Sequence, residues 1–260
     1  MSKNYKIIVA HPDDEVIFFS SILKSASKII ICFNKSQDKI VSLGREKIKK
    51  KIPLNNISFL NLKESNVLNT TNWKYPKDTP EGLIVSKNKI PYRQNFLNLK
   101  LYLSKMINIG DTIYTHNPWG EYGHEEHVQV FKAIKDLAKK FKLTIFVDGY
   151  VSNKSYNLME KQQHLLSGKI QYKIINQKFA NKLMKIYIYN SCWTFDEHYI
   201  WPNTETFFQV KNANKKFIHN KKNTSSPPLN FMSDNYNTNI FKKILGIIIP
   251  HNTKIKLKRF

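Results

Sequence analysis

The sequence predicts an α/β protein with a mostly parallel sheet and helices on both faces. Two observations support this: short, apolar, β-branched runs alternate with longer helical patterns through the first half of the chain, and each run is bounded by polar or turn residues. Repeats of strand, helix and strand place successive strands side by side and parallel. With 260 residues, of which 41% are hydrophobic and 23% charged, the chain can bury a core and is not typical of a disordered protein.

The predicted elements follow one another along the chain. Buried strands are predicted for the β-branched runs at residues 5–10, 28–33, 57–60, 112–115 and 144–147. Apolar residues at helical spacing predict helices over residues 15–27, 42–51, 93–107 and 125–140. Residues 66–92 contain three prolines and a glycine, which indicates a long insertion or an active-site loop.

The second half is less regular. Strands are expected over residues 186–189 and 206–210, helices over 156–166 and 172–184, and a polar loop over 211–228. Apolar residues at helical spacing over 240–248 predict one more helix, with a basic segment (Lys254, Lys256, Lys258, Arg259) behind it. We expect this helix either to dock on the core or to lie on an anionic membrane surface.

The chain is strongly basic, with 42 Lys and Arg against 19 Asp and Glu and a net charge of +23. Such an excess attracts anionic polymers and lipids. The only arginines, however, are Arg45, Arg93 and Arg259, and a surface that recognises phosphates usually recruits the bidentate Arg fork as well as Lys. Lys, Asn and Ile together are typical of an A·T-rich genome, so nucleic acid is not the favoured partner.

Several classes of protein are excluded by motif. Neither G-x-G-x-x-G nor G-x-x-x-x-G-K-[ST] occurs, which removes the sequence support for a nucleotide-phosphate loop. Cys32 and Cys192 form no C-x-x-C motif and suggest no disulfide framework. The apolar run at residues 7–10 is too short for a signal peptide, and that at 245–249 is too short to cross a bilayer. A cytoplasmic protein is expected, with peripheral membrane attachment left open.

A first cluster of reactive side chains directly follows the first predicted strand, where the sequence reads His11-Pro12-Asp13-Asp14-Glu15. Ligands of parallel sheets bind at the carboxyl ends of the strands, so a site is expected here. His11 and Asp14 offer the nitrogen and oxygen ligands that bind Zn²⁺ or a similar ion. Pro12 stiffens the turn, so that Asp13 and Asp14 need not have the same role.

A second cluster, residues 116–127, follows the strand predicted over 112–115. His124 and His127 lie three residues apart at the start of a predicted helix, which places both imidazoles on one face of its first turn. The two clusters together offer imidazole and carboxylate ligands and leave metal positions open for water and substrate, as a catalytic zinc site requires.

These motifs resemble a known family. The string A-H-P-D-D-E at residues 10–15, followed about 110 residues later by G-H-E-E-H at 123–127, resembles the PIG-L/LmbE family of zinc-dependent N-acetylglucosaminyl deacetylases. The resemblance implies a Rossmann-like α/β fold without the dinucleotide fingerprint, and Zn²⁺ or another divalent transition metal as cofactor. It implies the following roles: metal ligands at His11, Asp14 and His127, the general base at Asp13, an oxyanion-stabilising histidine at His124, and a tyrosine beside the reacting carbonyl at Tyr122.

Two further residues resemble the part of the family that binds the sugar. Arg45 opens the helix after the second strand, as the family's substrate-binding arginine does, and Glu64 stands where the family carries aspartate. Glu126 also stands where many members carry aspartate. Trp119 is expected either to stack on a sugar face or to pack in the interior. Residues 190–198 are expected to form a structural turn rather than to line a substrate cleft.

One domain is expected over residues 1–260. The resemblance covers its metal-bearing core, residues 1–150, and the remaining residues, 151–260, are a variable C-terminal part. The implied activity is removal of the acetyl group from an N-acetylglucosamine-type amino sugar in a glycoconjugate. Two alternatives stay open: an amidase acting on another small amide conjugate, and a non-catalytic basic module that binds anionic polymer or lipid. The expected partners are an N-acetylated amino-sugar substrate and an anionic membrane surface contacted by the C-terminal basic segment.

Overall fold

The computed structural model describes residues 4–211 and 228–232. The strands in chain order are β1 (Tyr5–Val9), β2 (Lys28–Ile31), β3 (Ile57–Phe59), β4 (Asp78–Thr79), β5 (Gly82–Leu83), β6 (Thr112–Thr115), β7 (Thr144–Asp148), β8 (Tyr150–Ser152), β9 (Leu166–Ile174), β10 (Thr204–Val210) and β11 (Asn230–Met232). The α-helices are α1 (Asp14–Phe19), α2 (Lys39–Lys51), α3 (Lys89–Leu103), α4 (Glu125–Phe141), α5 (Tyr156–Gln162) and α6 (Gln177–Tyr189). Short 3₁₀ turns follow α1 at Leu23–Ser25 and α5 at Gln163–Leu165.

The central sheet has seven strands in the order β3-β2-β1-β6-β7-β10-β9. The strands from β3 to β7 in this order are parallel, and β10 and β9 are each antiparallel to their neighbours. The predicted mostly parallel sheet is therefore confirmed. From β1 the chain builds the sheet outward first to β3 and then, on the other side, from β6 to β7. Such a reversal of strand order opens a crevice at the carboxyl ends of β1 and β6.

Strand β1 shows why both faces of the sheet are covered. Ile7 and Val9 pack in one apolar cluster with residues of α1, α2 and α6, whereas Ile8 and Ala10 pack in another with residues of α3 and α4. Successive side chains of a strand point to opposite faces, so a strand with consecutive apolar residues, such as Ile7, Ile8 and Val9, needs cover on both faces. The predicted helices on both faces are confirmed.

Helix α4 begins where its sequence favours a helix start. Nδ1 of His124 accepts a hydrogen bond from the backbone N–H of Glu126 at 3.2 Å and so caps the helix. The carboxylates of Glu125 and Glu126 lie in the first turn, where the helix dipole favours negative charge. Apolar side chains such as Ile134 are fully buried against the sheet. The helix predicted over 125–140 is confirmed.

Helix α1 is shorter than predicted. The apolar pattern predicts a helix over 15–27, but α1 ends at Phe19. The backbone N–H of Ser21 donates to a carboxylate oxygen of Glu205 at 3.0 Å, and its hydroxyl donates to the same oxygen. Because that N–H is no longer available for the helix ladder, the helix cannot continue through residue 21.

The helix predicted over 172–184 is wrong in its first part, because β9 extends to Ile174. The missed signal is an alternation of apolar and polar residues: Ile170, Tyr172 and Ile174 are separated by single polar residues, which is the period of a strand. Strand β9 lies at the edge of the sheet. Lysines within it, such as Lys169 and Lys173, are typical of a protected edge.

The strand predicted over 186–189 is also wrong, because these residues form the last turn of α6. The helix begins after Asn176, whose side chain accepts a hydrogen bond from the N–H of Phe179 at 3.0 Å. A short apolar run fits a buried helix as well as a strand. The strand predicted over 206–210 is confirmed as part of β10.

Several expectations concern residues outside the described ranges. The helix predicted over 240–248, the basic segment after it and most of the loop predicted over 211–228 all lie there. Within residues 4–211 and 228–232, the structure has no helix that is long and apolar enough to span a membrane. The assignment of the chain to one domain, with a metal-bearing core at residues 1–150 and a variable part at 151–260, stays a prediction. Strands β9 and β10 of the second part belong to the same sheet as β1.

Candidate active site

The two clusters of reactive residues lie in contact at the carboxyl edge of the sheet. His11 follows β1, and His127 lies in the first turn of α4, which follows β6; β1 and β6 are parallel neighbours. Nδ1 of His11 is 3.3 Å from Nε2 of His127, and both side chains are buried. The fold thus joins two stretches separated by more than a hundred residues.

Asp14 completes a triangle of possible ligand atoms. Its Oδ2 lies 3.2 Å from Nδ1 of His11 and 3.3 Å from Nε2 of His127. Three ligands held at about 2.0–2.1 Å by one tetrahedral zinc ion lie about 3.3–3.4 Å from one another. The donor set and its spacing therefore fit a zinc-like ion.

A carboxylate lies at the outer nitrogen of each of these two histidines. Nε2 of His11 is 3.0 Å from Oε2 of Glu126, and Nδ1 of His127 is 2.6 Å from Oε2 of Glu121. When an imidazole donates its proton to such a carboxylate, its other nitrogen keeps a lone pair, and this arrangement orients histidine ligands in many metal sites. The inward nitrogens of His11 and His127 are thereby prepared to bind a cation.

Other groupings of acids and histidines in this region are less suited to a metal. Asp14, His116 and His127 also lie close enough to share an ion, as do His11, His124 and His127. Nε2 of His116, however, accepts a hydrogen bond from the backbone N–H of Ala10 at 2.8 Å, and Nδ1 of His124 caps α4. The set of His11, Asp14 and His127 is favoured because both of its imidazoles have a carboxylate at the outer nitrogen. Oδ2 of Asp14 accepts the backbone N–H of His11 at 2.6 Å and keeps a further lone pair for an ion.

The ionisation of these groups follows from their mutual contacts. Burial opposes a charge on His11, but its hydrogen bonds to Asp14 and Glu126 raise its pKa to about 10. Burial likewise opposes a charge on Asp14, yet the neighbouring imidazoles of His127 and His11 hold its pKa well below its usual range. A divalent cation between these residues would take over the positive charge that His11 otherwise carries.

Asp13 directly precedes Asp14, and its carboxylate is held by Thr194. Its backbone is in a positive-φ conformation, with φ of 103°, and its Oδ2 accepts hydrogen bonds from Thr194, 2.6 Å from the backbone N and 2.8 Å from Oγ1. Burial and the neighbouring carboxylate of Asp14 raise the pKa of Asp13 to about 7. A buried carboxyl group with this pKa can exchange a proton near neutral pH.

His124 and Tyr122 face the same cluster. The ring of His124 lies 4.6 Å from that of His11 and 4.5 Å from that of His127, centroid to centroid. Burial and the positive charges of those two imidazoles hold the pKa of His124 well below its usual range, so its ring is neutral. The ring of Tyr122 stacks on Phe18 and meets the ring of His127 edge-on at 5.4 Å.

Arg45 and Glu64, predicted to bind a sugar, both lie at the site and are paired with each other. The guanidinium of Arg45 is 2% exposed and donates from Nη1 to a carboxylate oxygen of Glu64 and, at 3.4 Å, to the carbonyl of Phe33. That oxygen of Glu64 is 3.8 Å from Nε2 of His11. A buried guanidinium needs such a partner, which Glu64 supplies. Sugar binding by Arg45 and Glu64 stays a prediction.

The structure selects one of the two expectations for Trp119 and differs from the expectation for residues 190–198. Trp119 is fully buried and its indole N–H donates to the carbonyl of Tyr150 at 2.7 Å, so it packs in the interior and cannot stack on a sugar. Thr194 lies in the segment expected to be only a structural turn, yet it contacts Asp13.

The backbone N–H groups of Thr70 and Thr71, within the loop predicted over 66–92, donate to Glu125 and hold that loop at the start of α4.

Glu121, like Thr194, is a supporting residue that the sequence does not single out. It lies six residues before His127, bonds to two histidines and is fully buried. An acid at that spacing has no periodic relation to His127, because it lies in the loop ahead of α4. The only signal in the sequence is the presence of an additional acidic residue within the 116–127 cluster.

Comparisons with known proteins give distant similarities. No known protein-family model matches the chain. The chain is 29% identical over 202 residues to "Uncharacterized protein L374" of Acanthamoeba polyphaga mimivirus, a match that covers 71% of this chain and 80% of that protein. It is similar to the crystal structure of a deacetylase from the teicoplanin biosynthesis pathway (TM-score 0.48, 12% identity, 80% of this chain and 99% of that one). It is also similar to the A40926 pseudoaglycone deacetylase Dbv21 (TM-score 0.48, 9% identity, 81% of this chain and 98% of that one).

Proposed function

We propose that this chain is a metal-dependent hydrolase that removes the acetyl group from an N-acetylglucosamine-type amino sugar in a glycoconjugate, as in the PIG-L/LmbE family that its motifs resemble. The observation that carries the proposal is the convergence of Nδ1 of His11, Oδ2 of Asp14 and Nε2 of His127 within 3.3 Å of one another. Three protein ligands leave a position for water or substrate, which is the pattern of catalytic zinc sites.

The three ligands would hold Zn²⁺ or another divalent transition metal. Glu126 and Glu121 fix the proton of His11 and of His127 on the outer nitrogen, so that the inner nitrogen can bind the ion. Such an ion, when bound, lowers the pKa of a coordinated water towards about 7 and polarises a carbonyl group.

Asp13 acts as the general base. It is adjacent to the ligand Asp14 in sequence, and its Oδ2 accepts both hydrogen bonds of Thr194. Its pKa, raised to about 7 by burial and by Asp14, matches the requirement for a base that accepts a proton from water at neutral pH and later releases it.

His124 stabilises the oxyanion of the tetrahedral intermediate. Because its Nδ1 accepts the N–H of Glu126, the proton of the neutral ring is on Nε2 and can be donated. Donors placed where negative charge develops contribute strongly to acyl-transfer rates. The hydroxyl of Tyr122 is the second candidate donor, and Asp13 or His124 then delivers a proton to the departing amine. Acetate and a free amino sugar are the products.

The proposal is tested by metal analysis and by acetate release from N-acetylglucosamine conjugates. Purified protein is expected to hold one zinc-like ion per chain and to release acetate. Asp13→Asn is expected to keep the metal and to lose activity by about 10²- to 10⁴-fold, the usual contribution of general acid–base catalysis. His127→Ala is expected to lose the metal.

His164→Ala is the matched control, because His164 is exposed and its ring contacts the carbonyl of Lys161 in its own helix end. That variant is expected to keep both metal and activity. Stoichiometric zinc in His127→Ala, or normal turnover in Asp13→Asn, would show that these residues do not have the proposed roles.

A further inference from the structure

Within residues 151–211 and 228–232, which the structure describes, Thr194 hydrogen-bonds to the proposed base. Thr194 lies five residues after the end of α6, in a segment without regular structure. It donates both its backbone N–H and its hydroxyl to the same oxygen, Oδ2 of Asp13, at 2.6 and 2.8 Å. Two donors on one carboxylate oxygen fix the rotation of the carboxylate as well as its position.

The segment that carries Thr194 is itself held in place. The N–H of Cys192 donates to the carbonyl of Tyr187 at 3.1 Å, which ties the segment to the last turn of α6. The side chain of Cys192 is buried against α2 at Gly44, where an added Cβ would lie 2.9 Å from the Cβ of Cys192. The segment is therefore fixed between the end of α6 and α2.

A second connection holds the backbone of Asp13. The hydroxyl of Tyr187, on α6, donates to Oε1 of Glu15, and the other oxygen of Glu15 accepts the backbone N–H of Asp13 at 3.1 Å. Asp13 needs this support because its φ of 103° is a conformation that residues with a side chain rarely adopt. Such a conformation persists when its surroundings determine it more than once.

We propose that Thr194 is a positioning residue for the base Asp13. Because both donors of Thr194 occupy Oδ2, the oxygen that exchanges a proton with the attacking water is Oδ1. The hydroxyl of Thr194 prevents the carboxylate from rotating and so keeps Oδ1 directed at that water. The C-terminal half thus contributes to catalysis through the geometry of Asp13. This inference rests on the proposed function, in which Asp13 is the base.

The test compares Thr194→Val with Thr194→Ser in the metal-loaded, full-length protein. Valine keeps the branched shape and the backbone N–H but removes the hydroxyl, whereas serine keeps the hydroxyl. We expect kcat of Thr194→Val to fall about 10-fold with KM and zinc content within twofold of wild type, and kcat of Thr194→Ser to stay within about threefold. Ser191→Ala, in the same segment, is the control and is expected to match wild type.

A merely structural role for Thr194 predicts a different pattern. Thr194→Val would then have a lower thermal midpoint but a normal kcat for the folded fraction, and serine would not rescue it. Wild-type kcat in Thr194→Val, or equal losses in the valine and serine variants, overturns the inference.

Crystal structures of the wild type and of Thr194→Val, both with metal, give a readout that does not depend on activity. In the wild type both donors of Thr194 are expected within 3.2 Å of Oδ2, and in Thr194→Val the carboxylate of Asp13 is expected to rotate or to occupy two orientations. An unchanged single orientation overturns the inference. Absence of acetate release by wild type, by contrast, contradicts the proposed function and leaves the positioning of Asp13 to be judged from these two structures.

Discussion

Glu121→Gln tests how the candidate metal centre is held together. Oε1 of Glu121 accepts the N–H of Asn117 at 2.9 Å and lies 3.2 Å from Nδ1 of His116, while Oε2 lies 2.6 Å from Nδ1 of His127. Burial opposes the charge of Glu121, but the positive charges of His116 and His127 hold its pKa well below the usual range. The carboxylate offers acceptors at both oxygens, whereas an amide offers one acceptor and one donor group.

The amide conflicts with its neighbours in either orientation. If its oxygen takes the place of Oε1, its NH₂ group faces Nδ1 of His127, and two donors cannot share a 2.6 Å contact. His127 must then carry its proton on Nε2, the nitrogen that faces His11 and Asp14, and cannot bind a metal there. In the other orientation the NH₂ group faces the N–H of Asn117 and the ring of His116.

The expected effect is a loss of metal affinity without loss of the fold. Removing the outer hydrogen-bond partner of a histidine ligand typically weakens metal binding about 10- to 100-fold, which corresponds to about 1.4–2.7 kcal/mol. The assay is competition for zinc between the protein and a chelating indicator at fixed pH, with the thermal midpoint of each metal-free variant measured in parallel.

Glu160→Gln is the matched control, since it removes the same charge from an exposed position on α5. Its zinc affinity is expected within twofold of wild type. If Glu121→Gln also binds zinc within twofold of wild type while remaining folded, Glu121 does not fix the tautomer of His127 and the reasoning is refuted.

Three further predictions concern stability. Ile134→Ala removes a fully buried side chain of α4 and is expected to lower the free energy of unfolding by about 2–5 kcal/mol in urea titrations; a loss below about 1 kcal/mol contradicts the packing described for this face. Burial raises the pKa of Glu205 from 4.5 to about 7, so the folded state keeps a proton that the unfolded state releases, and stability is lost as pH rises through this window. Between about pH 4.5 and pH 7, the free energy of unfolding of wild type should fall by about 3 kcal/mol relative to that of Glu205→Gln. If the two free energies differ by the same amount at all these pH values, Glu205 does not titrate as described. Zinc at 100 times its dissociation constant should stabilise wild type by about 2.7 kcal/mol and leave His127→Ala unchanged; equal shifts in both proteins place the metal elsewhere.

The sequence predicts the parallel part of the sheet well because its signals are local. The runs that become β1, β2, β6 and β7 are rich in apolar and β-branched residues and are buried at nearly every position, which is the pattern of strands covered on both faces. The helices between them have clear apolar spacing. The errors occur where local signals are ambiguous or depend on a distant partner. The helix predicted over 172–184 includes the end of β9, and α1 ends early because Glu205 takes the N–H of Ser21.

The candidate site divides in the same way. The residue types and the order of His11, Asp13 and Asp14 after the first strand, and of His124 and His127 at the start of a helix, are visible in the sequence. Their roles stay proposals. The supporting residues are not visible, because Glu121 and Thr194 act through contacts that no periodicity encodes.

The sequence by itself determines the class of fold and the ligand types at the end of the first strand, since both depend on side-chain chemistry and on the spacing of neighbouring residues. Only the tertiary structure decides that β1 and β6 are adjacent, that Nδ1 of His11 meets Nε2 of His127, and that a residue of the C-terminal half bonds to Asp13. The physical reason is that these contacts join residues more than a hundred positions apart, and their geometry is set by strand pairing and by packing on both faces of the sheet rather than by local preference.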